Sequence, residues 1–188
     1  MFYDRWTLHI DKVTADFFRE FSSLTPSDLA WKPTSGGWSI AQNIYHLMMI
    51  NNTYFPVVNS LRTGQYRQPL LAKIRFIVDQ STKFITDAVN SDPIHEMKTF
   101  AKWRPTHETN YEDILDKLAR HQDSLKKLVA DSYELIDKQV VISSPGNKFI
   151  FYKLSTAFDI IVAQEKRHFD EAIEVLTLLQ HRGLRLQE

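Results

Sequence analysis

The chain contains no cysteine. That absence excludes disulfides, a thiolate nucleophile supplied by the protein, and any cysteine-based zinc site. Glycine and proline are sparse, 5 and 7 in 188 residues, which argues against a turn-dense all-β architecture and leaves long stretches for helices. An excess charge of one sign is also missing. Lys plus Arg and Asp plus Glu number 23 each, so there is no general electrostatic draw toward nucleic acid or an anionic membrane. No window approaches a continuous apolar run of ~18 residues, so no membrane-spanning helix is expected. The opening MFYDRWTLHIDK lacks the basic-then-apolar order of a signal peptide. A cytoplasmic protein is therefore expected, with one domain over 1–188 that is large enough to bury a core without staples. Any metal would fall to histidine, carboxylate or amide ligands.

What is present is helical periodicity. Trp6, Ile10, Val13, Phe17 and Phe21 recur at helical spacing and predict a first helix from Tyr3 to about Phe21. Ser39 followed by Gln42 is a capping box, so a second helix should start at Ser39 and run through Asn51, with Pro56 bending or ending it. Leu71, Ile74, Ile77, Phe84 and Ile85 suit an accessory helix over Leu70 to Ala88, followed by a long connection. Thr109 and Glu112 form a second capping box ahead of Ile114, Leu118, Leu125 and Val129, and so predict a helix to about Tyr133. In QVVISSPGNKFIFY two β-branched and aromatic runs flank Ser-Pro-Gly-Asn, the pattern of a short hairpin. The longest amphipathic stretch follows, from about Ser155 to His181, with Gly183 as its stop. The sum is an all-α fold: four main helices and an accessory one.

Within the last helix, VAQEKRHFDEA (Val162 to Ala172) puts polar residues on the oily stripe. On a wheel of ~100° per residue, Ala157, Ile161, Ala172, Val175 and Leu179 cluster around His168, with Gln164 ~40° to one side. Glu165 also falls toward the apolar side, where a carboxylate needs a partner or neutralisation. His46 sits at the edge of the apolar arc of the second helix, and His121 is aligned with Ile114, Leu125 and Leu128. Neutral imidazoles held on facing helices suit a divalent metal with an open position for water. His46, Gln164 and His168 are the candidate ligands. Glu165 would orient a ligand or move a proton, and His121 would line the pocket. The plainer reading is that a lone inward histidine is more often a hydrogen-bonded core residue than a ligand, and that Gln164 merely bonds His168. His9, His95, His107 and His181 read as surface or edge residues.

GGWSIAQNIYHLMMINNTYF resembles the opening of the second helix in the DinB/YfiT-like superfamily, and SSPGNKFIFYKLSTAFDIIVAQEKRHFDEAIEVL resembles that family's final segment. The resemblance implies a four-helix bundle with a long crossover between the second and third main helices, often dimeric. It also implies that the segment before the last helix is an extended connection, not a hairpin. A divalent metal, zinc or nickel, would sit on three histidines, with His46 in the first place and His168 in the last. Gln164 stands where the middle histidine is expected. The implied activity is a metal-dependent thiol S-transferase or related transfer enzyme acting on a small molecule with a low-molecular-weight thiol. The alternative is a non-catalytic bundle with a degenerate metal site that binds a small ligand or a second copy of itself. Neither reading calls for nucleic acid or a membrane.

Overall fold

Ser39 and Gln42 do form a capping box: the Ser39 hydroxyl accepts from the Gln42 amide, and the Gln42 side chain accepts from the Ser39 amide. This reciprocal pair satisfies two of the amides that a helix start leaves unpaired. The structure is a computed structural model that describes residues 4–34, 36–90, 103–105 and 111–185. Its main helices are α1 (Asp4–Phe21), α3 (Ile40–Asn52), α6 (Ile114–Ala130) and α8 (Leu154–Arg185). The remaining α-helices are α2 (Pro26–Ala30), α4 (Tyr54–Arg62), α5 (Arg75–Asn90) and α7 (Tyr133–Asp137). A two-stranded ribbon pairs β1 (Val141–Ser143) with β2 (Phe151–Lys153).

The four main helices stand in a ring, with α1 against α6 and α8, and α3 against the same two. The long crossover runs from α4 to α6 and contains α5, which lies on β2 and α8. Amphipathic faces drive the assembly, since a helix with one apolar stripe must bury it against another. Near one end Trp6, Ile10, Tyr54, Leu125, Phe158 and Ile161 form one apolar cluster. Near the other Phe17, Phe21, Ile44, Leu47, Leu118 and Val175 form a second. Trp6 also donates its indole N–H to Asp159 at 2.7 Å, tying α1 to α8.

Between the two clusters the core turns polar. Along α8, apolar burial stops at Ile161 and resumes at Ala172, with buried Glu165 and His168 in the gap. Along α6 the gap between Leu118 and Leu125 holds buried His121 and Gln122. From α3, buried Asn43, His46 and Asn51 join the same waist.

Several expectations need correction. The ribbon is a true antiparallel hairpin with Val141 opposite Lys153 and Ser143 opposite Phe151, not the extended connection that the resemblance implies. Burial of Ile142, Phe151 and Tyr152 holds it, and its loop closes through the Ser144 amide to the Ile150 carbonyl at 2.8 Å. The last helix continues past Gly183 to Arg185, because a lone glycine costs a helix only about 1 kcal/mol. The interruption expected at Pro56 is present: α3 ends at Asn52, the residue whose carbonyl the missing Pro56 N–H would have met, and Pro56 sits in the first turn of α4. Thr109 lies outside the described residues, and α6 begins at Ile114 after Asp113, with no side-chain cap bond.

Candidate functional site

His46 lies two turns into α3 and His168 about midway along α8, the two helices that pack most extensively on each other. The rings meet edge to face with centroids 4.7 Å apart. Both side chains are buried. Trp38, one residue before the cap of α3, completes the group. Its ring is stacked on His168 at 5.8 Å and tilted against His46 at 4.5 Å. Gly36 and Gly37, at φ +96° and +101°, make the turn that delivers this tryptophan, a backbone shape that a side chain would strain.

Each imidazole is fixed through Nδ1. The Nδ1–H of His46 donates to the Trp103 carbonyl at 2.6 Å, and a carbonyl only accepts, so the neutral ring carries its lone pair on Nε2. His168 Nδ1 faces two acceptors, Asn43 Oδ1 at 2.9 Å and Glu171 Oε2 at 3.0 Å. The Asn43 orientation is set from behind, because its Nδ2 donates to the Ser39 carbonyl at 3.2 Å. Glu171 is held in turn by Arg167 at 3.0 Å.

The electrostatics agree with this assignment. Burial first, and then the neighbouring His168, push the His46 pKa down to about 4, so it is neutral at physiological pH. Burial works to raise the Glu171 carboxyl, but the hydrogen bond and charge of His168, with Arg167, outweigh it and leave its pKa below the ordinary value. An ionised carboxylate behind one imidazole and a carbonyl behind the other are the supports that metal-ligating histidines use.

Gln164 lies one turn before His168 on α8 and is half-buried; the acceptors on His168 are Asn43 and Glu171, not Gln164. Glu165 is 0 % exposed and receives a long 3.3 Å hydrogen bond from Asn51. Its burial raises the pKa to about 8, against lowering by Gln122 and Asn51. Gln122 therefore lies beside it, yet neither Gln122 amide atom reaches hydrogen-bond geometry among the described residues. Glu165 Oε2 and Asn51 Oδ1 are likewise without a partner there. An unsatisfied buried polar group costs about 1–3 kcal/mol, a serious charge against a net stability of about 5–15 kcal/mol. His121 has Phe55 as its ring neighbour at 6.0 Å, and burial lowers its pKa to about 4.

The chain matches the family model of the DinB superfamily over residues 9–172. It belongs to the DinB superfamily. No curated protein and no solved structure matches it. In this DinB-superfamily chain, the sequence reading names His46, Gln164 and His168 but misses the residues that support them. Glu171 was legible as i, i+3 from His168, and Asn43 as i, i−3 from His46. The Trp103 carbonyl carries no sequence signal, because any residue presents one. No helix among the described residues is long and apolar enough to cross a membrane.

Proposed function

We propose that this DinB-superfamily protein binds a divalent metal ion, zinc or nickel, through Nε2 of His46 and Nε2 of His168, with the Gln164 amide oxygen as a weaker third ligand. It then serves a transfer reaction on a small-molecule substrate with a low-molecular-weight thiol, in the cytoplasm and as a homodimer. One observation carries the reading: both imidazoles are anchored through Nδ1, which leaves two Nε2 lone pairs on facing helices. The donor set fits a borderline metal, since imidazole nitrogen suits zinc and nickel, and a cysteine-free chain has no thiolate to compete.

Such an ion, when bound, would lower the pKa of a thiol or water brought to it and make a nucleophile available at neutral pH. The chain's own residues do the rest. His46 stays neutral and so remains a ligand at pH 7. Asn43 and Glu171 hold the His168 ring in one orientation. Trp38 covers the pair and limits water, which strengthens every polar interaction beneath it. The thiol must come with the substrate, because the protein has no cysteine.

Metal analysis of untagged protein tests this: about one ion per chain, lost in His46→Ala and in His168→Ala. Parent protein free of stoichiometric metal sinks the reading. Sedimentation velocity tests the homodimer.

A second reading is favoured by the donor count. Among the described residues no group of three or more His, Cys, Asp or Glu is placed to hold a metal. On that reading the Trp38–His46–His168 group is a degenerate metal site that binds a small ligand, and Gln164→His creates metal binding that the parent lacks.

A further inference from the structure

The polar waist continues beyond the histidine pair into a second group: Asn51 of α3, Gln122 of α6 and Glu165 of α8. These side chains are 0 %, 1 % and 0 % exposed. Asn51 donates to Glu165 at 3.3 Å, and Gln122 faces Glu165 as a second hydrogen-bonding neighbour that falls short of good geometry. Among the described residues Asn51 Oδ1, Glu165 Oε2 and both Gln122 amide atoms have no hydrogen-bond partner. Buried polar atoms in native proteins are nearly always paired, with protein or with ordered water.

We propose that Asn51, Gln122 and Glu165 form an internal binding site for water. The chemistry selects the guest. Asn51 Oδ1 and Gln122 Oε1 only accept, while Gln122 Nε2 only donates, so a partner must do both. A cation cannot serve the Nε2 donor, and three protein oxygens fall well short of the six that a hard divalent ion takes. A water molecule needs about two to four polar partners, and this cluster provides them. A carboxylic acid at Glu165 lets one water close the count, accepting from Glu165 and Gln122 Nε2 and donating to Asn51 Oδ1 and Gln122 Oε1; a carboxylate there adds a third acceptor, and a second water completes the set.

The site also has a place in the geometry of the fold. Asn51 follows His46 by five residues on α3, and Glu165 precedes His168 by three on α8. Water bridging three helices here fixes the register of α3 against α8 beside the histidines.

The test is a high-resolution crystal structure of the full chain, together with water-oxygen magnetic relaxation dispersion in solution. Solvent density within hydrogen-bond distance of Glu165 Oε2 and of an amide atom of Asn51 or Gln122 is expected. A long-residence water signal should accompany it, present in parent and Glu165→Gln and reduced in Gln122→Leu. Density for a metal ion, direct closure of the three side chains with no solvent between them, or an unchanged signal in a folded Gln122→Leu would each overturn the assignment.

Discussion

The His46 and His168 rings stand edge to face at 4.7 Å, each turning its Nδ1 toward a different acceptor. A positive charge on both of two imidazoles so close would repel, which is why His168 adds to burial in lowering the pKa of His46. Nitrogen-15 NMR should therefore find His46 in the Nδ1–H tautomer, and neutral down to a pH near 4. An Nε2–H tautomer would contradict the assigned hydrogen bond to Trp103.

Supports behind a ligand tune it without touching the ion. Glu171→Gln and Asn43→Leu should each weaken zinc or nickel affinity by about 10- to 100-fold, as read by calorimetric titration. Glu171→Gln should leave the fold intact, since Glu171 is only half-buried; Asn43 is buried, so circular dichroism accompanies the titration of Asn43→Leu. Equal affinities in parent and variants would show that the Nδ1 contacts do not serve a metal.

Gln164→His exchanges an amide for an imidazole one turn from His168. Imidazole is the better ligand, so metal affinity should rise at least tenfold, about 1.4 kcal/mol. A fall in affinity would mean that position 164 does not address the site.

Stability against pH should pass through a maximum near 6.5. His46 and His121 have folded pKa values of about 4, below the ordinary 6.5, so unfolding takes up protons between those limits and stability falls as the solution is acidified through that window. Glu165 has the opposite sign. Its folded pKa of about 8 lies above the ordinary 4.5, so unfolding releases a proton, and stability falls as pH rises from 4.5 to 8. Between 4.5 and 6.5 the two histidines outweigh the one carboxyl. Above 6.5 the carboxyl acts alone, with a limiting slope of ~1.4 kcal/mol per pH unit. Urea titrations across pH 5 to 9 should show this peak, and Glu165→Gln should flatten its alkaline side. An alkaline decline that survives in Glu165→Gln would assign it elsewhere.

Trp6→Phe removes the bond to Asp159 and also shrinks a buried ring, so it should cost more in chemical denaturation than the roughly 1 kcal/mol of the bond alone. Phe17→Ala, in the other apolar cluster, should cost about 3–5 kcal/mol because the ring is fully buried.

The bundle was legible because periodicity and caps are local signals. The stripe of α1 and the Ser39 box appear in the structure as they read in the sequence. The inward turn of His46 and His168 was legible for the same reason. The hairpin was legible in its β-branched runs and was wrongly set aside on family resemblance. What stayed hidden depends on long-range contact. Nothing near Asn51 announces Glu165, 114 residues away, and nothing near His46 announces a carbonyl 57 residues along. The absence of a cap bond at Asp113 likewise could not be read from the Thr109 and Glu112 pattern.

The Ser39–Gln42 box also acts as an angular index. A helix turns ~100° per residue, so a start displaced by one position would swing His46 from the waist toward solvent and carry Asn43 away from His168. The two hydrogen bonds that mark where α3 begins thereby decide in which direction a side chain two turns later can point, and the Asn43 bond to the Ser39 carbonyl carries that reference across to the ring on α8. A shift of Ser39 by one residue in an engineered loop would therefore disassemble the histidine pair without altering either histidine.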